Sequence, residues 1–368
     1  MKIGITGSDG FIGWHLRCYL TTLERVDEIR TANRETFADV DKLTSFIDGL
    51  DLIVHLAGVN RAEESELFNG NTQPAEQLVD ALNANKQSLC IIYASSTYAE
   101  QATNAYGKGK LAAGGILTDY GKNSEARVIN MIIPHVFGEY GRPFYNSGVA
   151  TFCHQIANGE EMQVNRDGQL ELVHVQDLAE QFLAAYESNT SGDHRVAGKR
   201  ISVGEVVDIL LALHNEYIQE NRLPDLSDDF IRSLFNSLRG AIAHEDRKIE
   251  QLKHTDDRGW LVETVKVGSG GQCFVSTTKP GITRGNHFHR RKVERFFVLQ
   301  GEARIELRKM FTDEVISYDL TGSSPSYVDM PTLHTHKITN IGESELITLF
   351  WSDEFYDPEK PDTYFEDV

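Results

Sequence analysis

The segment from Gly281 to Gly301 carries histidine and glutamate residues at spacings that suit metal coordination. His287 and His289 are separated by one residue, and Glu294 follows five positions after His289. Residues two apart on a β-strand project to the same side, so His287 and His289 can face one ion together. Imidazole nitrogens and carboxylate oxygens are both common metal ligands. The spacing therefore predicts a metal site on strands.

A second chemical pattern lies near residue 1, where Gly7, Gly10 and Gly13 follow a short run of strand type. Glycines between a strand and a helix let backbone amides and the positive end of the helix dipole approach a pyrophosphate. This context predicts a dinucleotide site. Arg34 stands where an acidic residue usually binds the ribose hydroxyls of NAD(H), which favours NADP(H), although the neighbouring Glu35 leaves NAD(H) open.

Tyr106 and Lys110 are four residues apart, hence on one face of a helix, and a predicted strand before them ends in Ser95-Ser96-Thr97. These residues resemble the active site of the extended short-chain dehydrogenase/reductase family, and the resemblance covers residues 1 to about 245. It implies that Tyr106 is the acid that protonates a carbonyl oxygen and that Lys110 holds the nicotinamide ribose. It also implies that Thr97, with Ser96 as the alternative, hydrogen-bonds the substrate carbonyl. The ordinary tyrosine pKa of about 10 must be lowered for this task, and a lysine ammonium at i+4 does so.

Further positions agree with that family, and one segment departs from it. The residues with implied cofactor contacts are Leu56, Ala57, Gly58 and Asn71. Where the family commonly has arginine and asparagine, this chain has Ile132 and His135, so two polar anchors are lost. The departure concerns the contacts to sugar or nicotinamide and leaves the predicted fold unchanged.

The bulk composition limits the class of protein. The chain has 368 residues, of which 40% are hydrophobic and 25% charged, which suits a globular protein of two domains, or of one large domain with an appendage. A formal net charge of -19 argues against a nucleic-acid partner, because such a partner needs a basic surface. We see no signal peptide and no apolar run of membrane-spanning length, and the four cysteines are scattered. We therefore expect a cytoplasmic protein with no membrane partner.

The pattern of predicted helices and strands changes along the sequence. Up to about residue 205, short β-branched runs alternate with helical segments, which predicts an α/β fold with a Rossmann-like, doubly wound parallel sheet. A helical segment at about 202–250 is expected to close this domain. Beyond residue 260, closely spaced short strands predict an all-β barrel or sandwich. We place an NADP-binding reductase domain at residues 1–248 and a metal-binding domain at residues 249–368.

The strands after residue 260 resemble the two motifs of the cupin family, a small β-barrel with a metal at its mouth. The second motif contains His336, with Leu333 at a position that is normally glycine and His334 out of register. The resemblance implies three histidine ligands and one carboxylate, which suit zinc and equally admit iron, manganese or nickel. The implied ligands are His287, His289, Glu294 and His336.

Matches outside these motifs make the resemblance more specific. The segment around Arg258 is similar to nucleotide-linked keto-sugar epimerases, in which an arginine at this position meets the nucleotide phosphates. Over its whole length the chain resembles the CapF-type capsular polysaccharide biosynthesis family, for example at Tyr145-Asn146-Ser147. The residues expected to bind substrate are Tyr145, Asn146, Arg258 and Glu263.

The CapF-type resemblance implies a bifunctional enzyme. The cupin domain would epimerise carbon 3 of UDP-2-acetamido-2,6-dideoxy-β-L-arabino-hexos-4-ulose, and the other domain would reduce the 4-keto group with NADPH. The product, UDP-2-acetamido-2,6-dideoxy-β-L-talose, leads to UDP-N-acetyl-L-fucosamine for capsule or O-antigen, and the family expectation is a homodimer. Two alternatives stay open: a dTDP-4-keto-6-deoxyhexose epimerase fused to its reductase, and a nucleotide-sensing regulator without chemistry. Intact Tyr106 and Lys110 argue against the regulator.

Overall fold

The protein is described by a computed structural model that covers residues 1–250, 254–256, 259–261, 264–265, 267, 270–355 and 357–368. The chain divides into two compact units. The first unit comprises Met1–Phe137, Gly141–Gly148 and Arg166–Val203, and the second comprises Gly138–Tyr140, Val149–Asn165 and Gly204–Val368. Within the covered ranges, no helix has both the length and the apolar character that crossing a membrane requires.

Strands and helices alternate through the first two hundred residues. In chain order these elements are β1 (Lys2–Thr6), α1 (Phe11–Leu20), β2 (Glu28–Ala32), α2 (Arg34–Phe37), α3 (Val40–Ile47), β3 (Leu52–His55), α4 (Glu64–Ala84), β4 (Cys90–Ala94), α5 (Thr97–Gln101), α6 (Ala105–Asn123), β5 (Val128–Ile132), β6 (His135–Phe137), α7 (Gly148–Ala157), β7 (Gln169–His174), α8 (Val175–Glu187), β8 (Gly192–Arg195) and β9 (Lys199–Ser202).

The first unit is built on a six-stranded parallel sheet with the order β2-β1-β3-β4-β5-β8. Its central strands β3 and β4 are buried on both faces, so Ile53 and Val54, adjacent on β3, belong to different core clusters. Leu16 of α1 and Phe182 of α8 pack on one face, and Leu78 of α4 packs on the other. The prediction of a Rossmann-like parallel sheet with helices is confirmed. Because β2 and β3 lie on opposite sides of β1, the carboxyl ends of β1 and β3 flank the crevice where such sheets bind ligands.

The remaining elements are a short helical segment followed by strands. In chain order they are α9 (Val203–His214), a π-helical turn (Asn215–Gln219), α10 (Asp229–Ala241), a 3-10 turn (Glu245–Arg247), β10 (Lys248–Glu250), β11 (His254–Asp256), β12 (Gly259–Leu261), β13 (Gln272–Thr278), β14 (Thr283–Phe288), β15 (Glu294–Gln300), β16 (Glu302–Lys309), β17 (Val315–Thr321), β18 (Ser326–Met330), β19 (His334–Asn340), β20 (Leu346–Ser352) and β21 (Tyr364–Phe365).

Two five-stranded antiparallel sheets form the larger part of the second unit, in the orders β10-β18-β15-β20-β13 and β17-β16-β19-β14-β21. Phe296 and Val328 of the first of these sheets share one core cluster with Ile305 and Ile338 of the other. The sheets therefore pack face to face. The prediction of a β-rich region after residue 260 is confirmed, and the finer prediction of a cupin barrel stays a prediction.

The helical segment after residue 203 packs on the outer face of β15 and β18. Arg295 and Asp329, each 1% exposed, form an ion pair there with an Nε–Oδ1 distance of 2.7 Å, and the hydroxyl of Tyr217 donates to Asp329. Arg239 of α10 donates to the carbonyl oxygen of Met330 at 2.7 Å. The structure thus groups this segment with the second unit, whereas the sequence texture placed it at the end of the first. The allocation of activities to residues 1–248 and 249–368 stays a prediction.

Candidate active sites

The turn between β1 and α1 brings the glycine motif against the end of β3. Gly7 has φ +69°, a left-handed conformation that glycine adopts without steric cost. A Cβ at Gly7 would lie 2.9 Å from the amide nitrogen of Ala57, and one at Gly13 would lie 2.4 Å from the carbonyl oxygen of Gly7. The helix α1 begins after Gly10 with no side-chain cap from the described residues. Its first amides can therefore meet an anion, and the turn fits a dinucleotide pyrophosphate.

Arg34 and Glu35 lie just beyond the carboxyl end of β2, next to the glycine turn. The amide of Gly7 donates to the carbonyl oxygen of Ala32, the last residue of β2, at 3.1 Å. Both Arg34 and Glu35 are exposed and open α2. In doubly wound folds, this end of the second strand meets the adenosine ribose. Arg34 and Glu35, on which the choice between NADP(H) and NAD(H) depends, therefore both lie at the end of β2 where the adenosine ribose would bind.

The residues after β3 form a second wall of this crevice. The amides of Leu56 and Ala57 both donate to Oγ1 of Thr6, at 3.1 Å each. A Cβ at Gly58 would lie 2.4 Å from Oδ1 of Asn71. Asn71 is 1% exposed and donates to two backbone carbonyls, while its Oδ1 has no partner within the described residues. Buried amide oxygens normally accept a hydrogen bond, so this corner fits a donor group on a ligand.

Tyr106 and Lys110 project from the first turns of α6. The Asn104 side chain accepts a hydrogen bond from the amide of Gly107 at 2.7 Å and thereby fixes the start of this helix. Lys110 is 6% exposed, and its Nζ donates to the carbonyl oxygen of Ala94 at 2.9 Å. Burial lowers the pKa of Lys110 to about 8. Its Nζ lies 5.9 Å from the centre of the Tyr106 ring, so the ammonium acts on the tyrosine at short range.

Ser96 and Thr97, the alternatives for holding a substrate carbonyl, lie between β4 and α5. Burial raises the pKa of Tyr106, and a hydrogen bond with Ser96 partly offsets this effect. Ser96 is 7% exposed and also accepts a hydrogen bond from the amide of Tyr98 at 3.3 Å. Thr97 is half-buried, and its amide donates to the carbonyl oxygen of Ile133 at 3.0 Å. The structure therefore brings the Ser96 hydroxyl against Tyr106.

Tyr98 is a neighbour of this site that the sequence analysis did not single out. Its ring lies edge-on to the rings of Tyr106 and His135, with centroid distances of 6.0 Å in each case. Tyr98 is 48% exposed, so it borders the site from the solvent side. His135 marks the place where the sequence departs from the reductase pattern. The departure thus lies beside Tyr98, for which the sequence offered no signal besides its position next to Thr97.

Tyr145 and Asn146, which were expected to bind substrate, lie in the segment between β6 and α7. Arg61 anchors this segment by donating to two successive carbonyl oxygens, including that of Tyr145 at 3.1 Å. The guanidinium of Arg142 lies 4.9 Å from the centre of the Tyr145 ring, which is 38% exposed. A substrate role for Tyr145 and Asn146 stays a prediction.

The four predicted metal ligands converge in the second unit. One ligand atom from each of His287, His289, Glu294 and His336 lies within 4.8 Å of all the others. Nε2 of His289 and Nε2 of His336 lie 2.9 and 3.6 Å from Oε2 of Glu294, and both nitrogens are buried without a hydrogen-bond partner of suitable geometry in the described residues. Buried nitrogens that face one carboxylate in this way fit a divalent cation.

Two of the histidines are oriented by backbone carbonyl groups. Nδ1 of His336 lies 3.2 Å from the carbonyl oxygen of His334, and Nδ1 of His289 lies 2.5 Å from that of Asp362. Because a carbonyl oxygen only accepts hydrogen bonds, each Nδ1 carries a proton, which makes Nε2 the nitrogen through which each ring can bind a metal in its neutral form.

The protonation states of His287 and Glu294 suit metal binding, whereas a proton competes with a metal at His289. Burial alone would lower the pKa of His289, but the nearby Glu294 raises it above its ordinary value. Burial, followed by the nearby His336 and His289, lowers the pKa of His287 to about 3. Burial alone would raise the pKa of Glu294, but the neighbouring His289 and His336 imidazoles hold it well below its ordinary value. Near neutral pH, His287 is therefore neutral and Glu294 is ionised, which are the forms that coordinate metals.

A β-bulge in β14 sets the direction of His287. The pairing register with β19 shifts between Gly285 and His287, after which His287 is opposite His336. Gly285 has φ +109°, and a Cβ there would lie 2.6 Å from the carbonyl oxygen of His336. Only glycine fits this approach, so the bulge turns His287 toward the other ligands.

Leu333 ends the turn before β19, and His334 is the first residue of that strand. Leu333, where the cupin motif normally has glycine, has φ +58° and donates to the carbonyl oxygen of His289 at 2.8 Å. His334 is buried, and its ring lies 5.4 Å from that of Tyr140. The predicted substrate residues Arg258 and Glu263 lie outside the described residues.

Comparison with known proteins places both sites in a family. Residues 3–204 match the NAD dependent epimerase/dehydratase family, and residues 254–364 match the polysaccharide biosynthesis C-terminal domain. The capsular polysaccharide assembling protein CapF from Staphylococcus aureus is 34% identical, with 100% of both chains covered and a TM-score of 0.63. This chain belongs to the CapF family.

A curated relative gives the same extent of similarity. The Pseudomonas aeruginosa protein called UDP-2-acetamido-2,6-beta-L-arabino-hexul-4-ose reductase is 32% identical over 99% of this chain and 98% of its own length. A solved structure of RMD from Pseudomonas aeruginosa, which is 21% identical, covers 58% of this chain and 85% of its own with a TM-score of 0.53, and shows a shared fold. Membership of the CapF family thus extends over both compact units.

Proposed function

We propose that the chain is a two-site nucleotide-sugar enzyme that inverts carbon 3 of UDP-2-acetamido-2,6-dideoxy-β-L-arabino-hexos-4-ulose and then reduces its 4-keto group with NADPH. The product would be UDP-2-acetamido-2,6-dideoxy-β-L-talose, an intermediate toward UDP-N-acetyl-L-fucosamine. The name of the Pseudomonas aeruginosa relative, a reductase of this class of ketone, supports the substrate. The observation that carries the proposal is that one chain holds both a Ser96–Tyr106–Lys110 arrangement and a four-ligand cluster.

In the reduction, Tyr106 donates its hydroxyl proton to the substrate oxygen at carbon 4 as that oxygen becomes an alcohol. NADPH, when bound, supplies the hydride. Ser96 lies against the Tyr106 hydroxyl and can donate a hydrogen bond to the same substrate oxygen, with Thr97 as the alternative. Burial raises the pKa of Tyr106, and in the proposed mechanism the Lys110 ammonium, whose Nζ lies 5.9 Å from the ring centre, opposes that rise by favouring the ionised form.

The glycine turn and Asn71 suit the binding of NADP(H). The glycine turn leaves no room for side chains where a pyrophosphate would lie, and Asn71 presents a buried acceptor to the same crevice. Arg34 at the end of β2 supplies the positive charge that a 2′-phosphate needs. The exposed Glu35 beside it carries the competing prediction of NAD(H), so the choice between the cofactors depends on these two residues.

The epimerisation belongs to the second unit, whose two packed sheets we propose to be a cupin-type barrel. Inverting carbon 3 requires loss and return of a proton next to the 4-keto group. A divalent ion, with zinc as the first candidate, supplies positive charge that favours this proton loss when bound. His287, His289, Glu294 and His336 would hold that ion, and His289 and His336 are already oriented with Nε2 toward Glu294.

A homodimer is part of the proposal. The strand β13 is at the end of its sheet in the described residues, and Phe274 and Val275 on it are 44% and 57% exposed. Exposed apolar edge strands invite pairing with another chain. Light scattering on the purified protein should give about twice the mass of one chain.

The experiment that tests the proposed reaction is the incubation of the full-length protein with the UDP-linked ketone and NADPH, followed by NMR identification of the sugar. The expected product has inverted carbon 3 and a hydroxyl at carbon 4. The corresponding dTDP-linked ketone should react much more slowly. Equal or faster reaction of the dTDP substrate would favour the alternative epimerase and reductase, and no reaction with either would leave the proposal without support.

A further inference from the structure

The segment that follows Pro361 lies against the strand and loop that carry two of the proposed metal ligands. In β21, Phe365 pairs with His287 and Tyr364 pairs with Phe288. The amide of Glu366 donates to the carbonyl oxygen of Asn286 at 3.0 Å. The segment is therefore joined to the metal-ligand strand by backbone hydrogen bonds.

Asp362 binds the loop after His289 through its carboxylate. It is 1% exposed, and its carboxylate accepts hydrogen bonds from three consecutive amides, those of Arg290, Arg291 and Lys292, at 3.2, 3.0 and 2.9 Å. Three backbone donors on one buried carboxylate make a strong, geometrically specific contact. This contact fixes the loop that begins directly after the ligand His289.

The backbone of Asp362 contacts the ligand itself. Asp362 has φ +42°, in the left-handed region that aspartate tolerates better than most residues. From this conformation its carbonyl oxygen lies 2.5 Å from Nδ1 of His289, while its carboxylate binds the next three amides. One residue therefore sets both the loop and the ring of His289.

We propose that Asp362 is a positioning residue of the metal centre, which fixes the tautomer and direction of His289 so that Nε2 faces Glu294 and a divalent cation. The inference rests on the proposed function, because it assumes that the four-ligand cluster binds metal. Removal of groups that orient metal-bound histidines typically weakens metal binding by about 10- to 100-fold. Asp362 lies 73 residues after His289, so the segment that follows Pro361 contributes to the proposed metal site.

The inference can be tested by titrating Co²⁺ into the metal-free full chain and recording both the affinity and the visible absorption spectrum of the bound ion. We expect Asp362→Ala to weaken Co²⁺ binding by about 10- to 100-fold and to change the spectrum. Asp362→Asn keeps the size of the side chain and its tolerance of a left-handed backbone. It should therefore fold well and lose affinity by a smaller factor.

The matched control is Asp357→Asn, which removes the same charge from an exposed residue five positions before Asp362. Its carboxylate accepts only the nearby amide of Glu359 in the described contacts. It should bind Co²⁺ as the wild type does. A purely structural role for Asp362 would lower the melting temperature of the metal-free protein and leave the affinity and the spectrum unchanged.

The two possible failures give different results. If the wild type binds Co²⁺ at one site per chain, and Asp362→Ala and Asp362→Asn bind it with wild-type affinity and spectrum, the positioning role of Asp362 is wrong. If the wild type itself does not bind Co²⁺ or Zn²⁺, the metal centre in the proposed function is wrong, and the inference falls with it.

Discussion

The Nζ of Lys110 donates a hydrogen bond to the carbonyl oxygen of Ala94 at 2.9 Å, inside a site where the lysine is 6% exposed. A buried ammonium with one neutral acceptor is less stable than one in water, and the pKa of Lys110 falls to about 8. The lysine proposed to activate Tyr106 thus loses its charge more easily than an ordinary lysine.

We expect the reductase activity to fall as the pH rises through about 8, because deprotonated Lys110 no longer stabilises the tyrosinate. The measurement is the pH profile of kcat/KM for NADPH oxidation with a ketone that needs no epimerisation. Burial raises the pKa of Tyr106, so Tyr106 does not account for a decline in this range. A profile that stays flat to pH 10 would contradict the role given to Lys110.

Lys110→Met should abolish reduction with little loss of stability in the cofactor-free protein. Lowering the lysine pKa from its ordinary 10.5 to about 8 corresponds to a cost of about 3 kcal/mol for the charged form. The variant is relieved of this cost, but the lost hydrogen bond to Ala94 offsets about 1–3 kcal/mol of that gain. Below pH 8, Lys110 is protonated in both the folded and the unfolded chain, so the cost is fully present. Between pH 8 and 10.5 the folded chain releases the proton first, and wild-type stability should rise relative to the variant. Urea unfolding at pH 7 and pH 9 measures both effects.

Ser96→Ala should reduce the rate of reduction more than Thr97→Val does. The Ser96 hydroxyl lies against Tyr106 and also caps α5, so its removal costs about 1 kcal/mol of helix stability as well as a contact in the site. The expected loss in kcat/KM is about 10- to 100-fold, as for removal of one hydrogen bond to a charged group. A larger effect from Thr97→Val would mean that Thr97, as the family resemblance implies, hydrogen-bonds the substrate carbonyl.

Arg34→Ala should weaken NADPH binding by about tenfold or more and leave NADH binding nearly unchanged, because only NADPH carries the 2′-phosphate. Fluorescence titration with each cofactor measures this difference. Glu35→Ala is the matched control beside it, and its expected effect on NADPH is small. If Glu35→Ala weakens NADH binding and Arg34→Ala leaves NADPH binding intact, the cofactor is NAD(H).

Leu333→Gly should be at least as stable as Leu333→Ala, which reverses the usual order of these substitutions. Either change removes a fully buried side chain and costs about 2–5 kcal/mol. At φ +58°, however, glycine avoids about 1–2 kcal/mol of left-handed strain that alanine keeps, and this exceeds its extra entropy cost of about 0.4–1 kcal/mol. Denaturant midpoints of the two variants decide the order. A more stable Leu333→Ala would mean that the backbone relaxes out of the left-handed region.

Local patterns predicted the parts of both sites that depend on short spacings. Gly7, Tyr106 with Lys110, and His287 with His289 each signal their chemistry within a turn or a strand, because the i+4 and i+2 geometry fixes which side chains share a face. The parallel sheet followed from the same kind of periodicity.

Contacts between distant residues could not be predicted in this way. The carbonyl oxygen of Asp362 reaches His289 through a left-handed turn and the pairing of β21 with β14, and no periodic pattern encodes either. Tyr217 and Arg239 tie the helical segment to β18 by single buried polar contacts, which explains why texture alone assigned that segment to the first domain.

The most direct measurement of the central claim follows deuterium exchange at carbon 3 and NADPH oxidation separately, in Tyr106→Phe and His289→Ala. Tyr106→Phe should stop NADPH oxidation and keep the exchange, with Tyr98→Phe, which retains the ring packed on Tyr106, behaving as the wild type in both assays. His289→Ala should stop the exchange and still oxidise NADPH on a ketone that is already epimerised. Loss of both activities in either folded variant would contradict two separate sites.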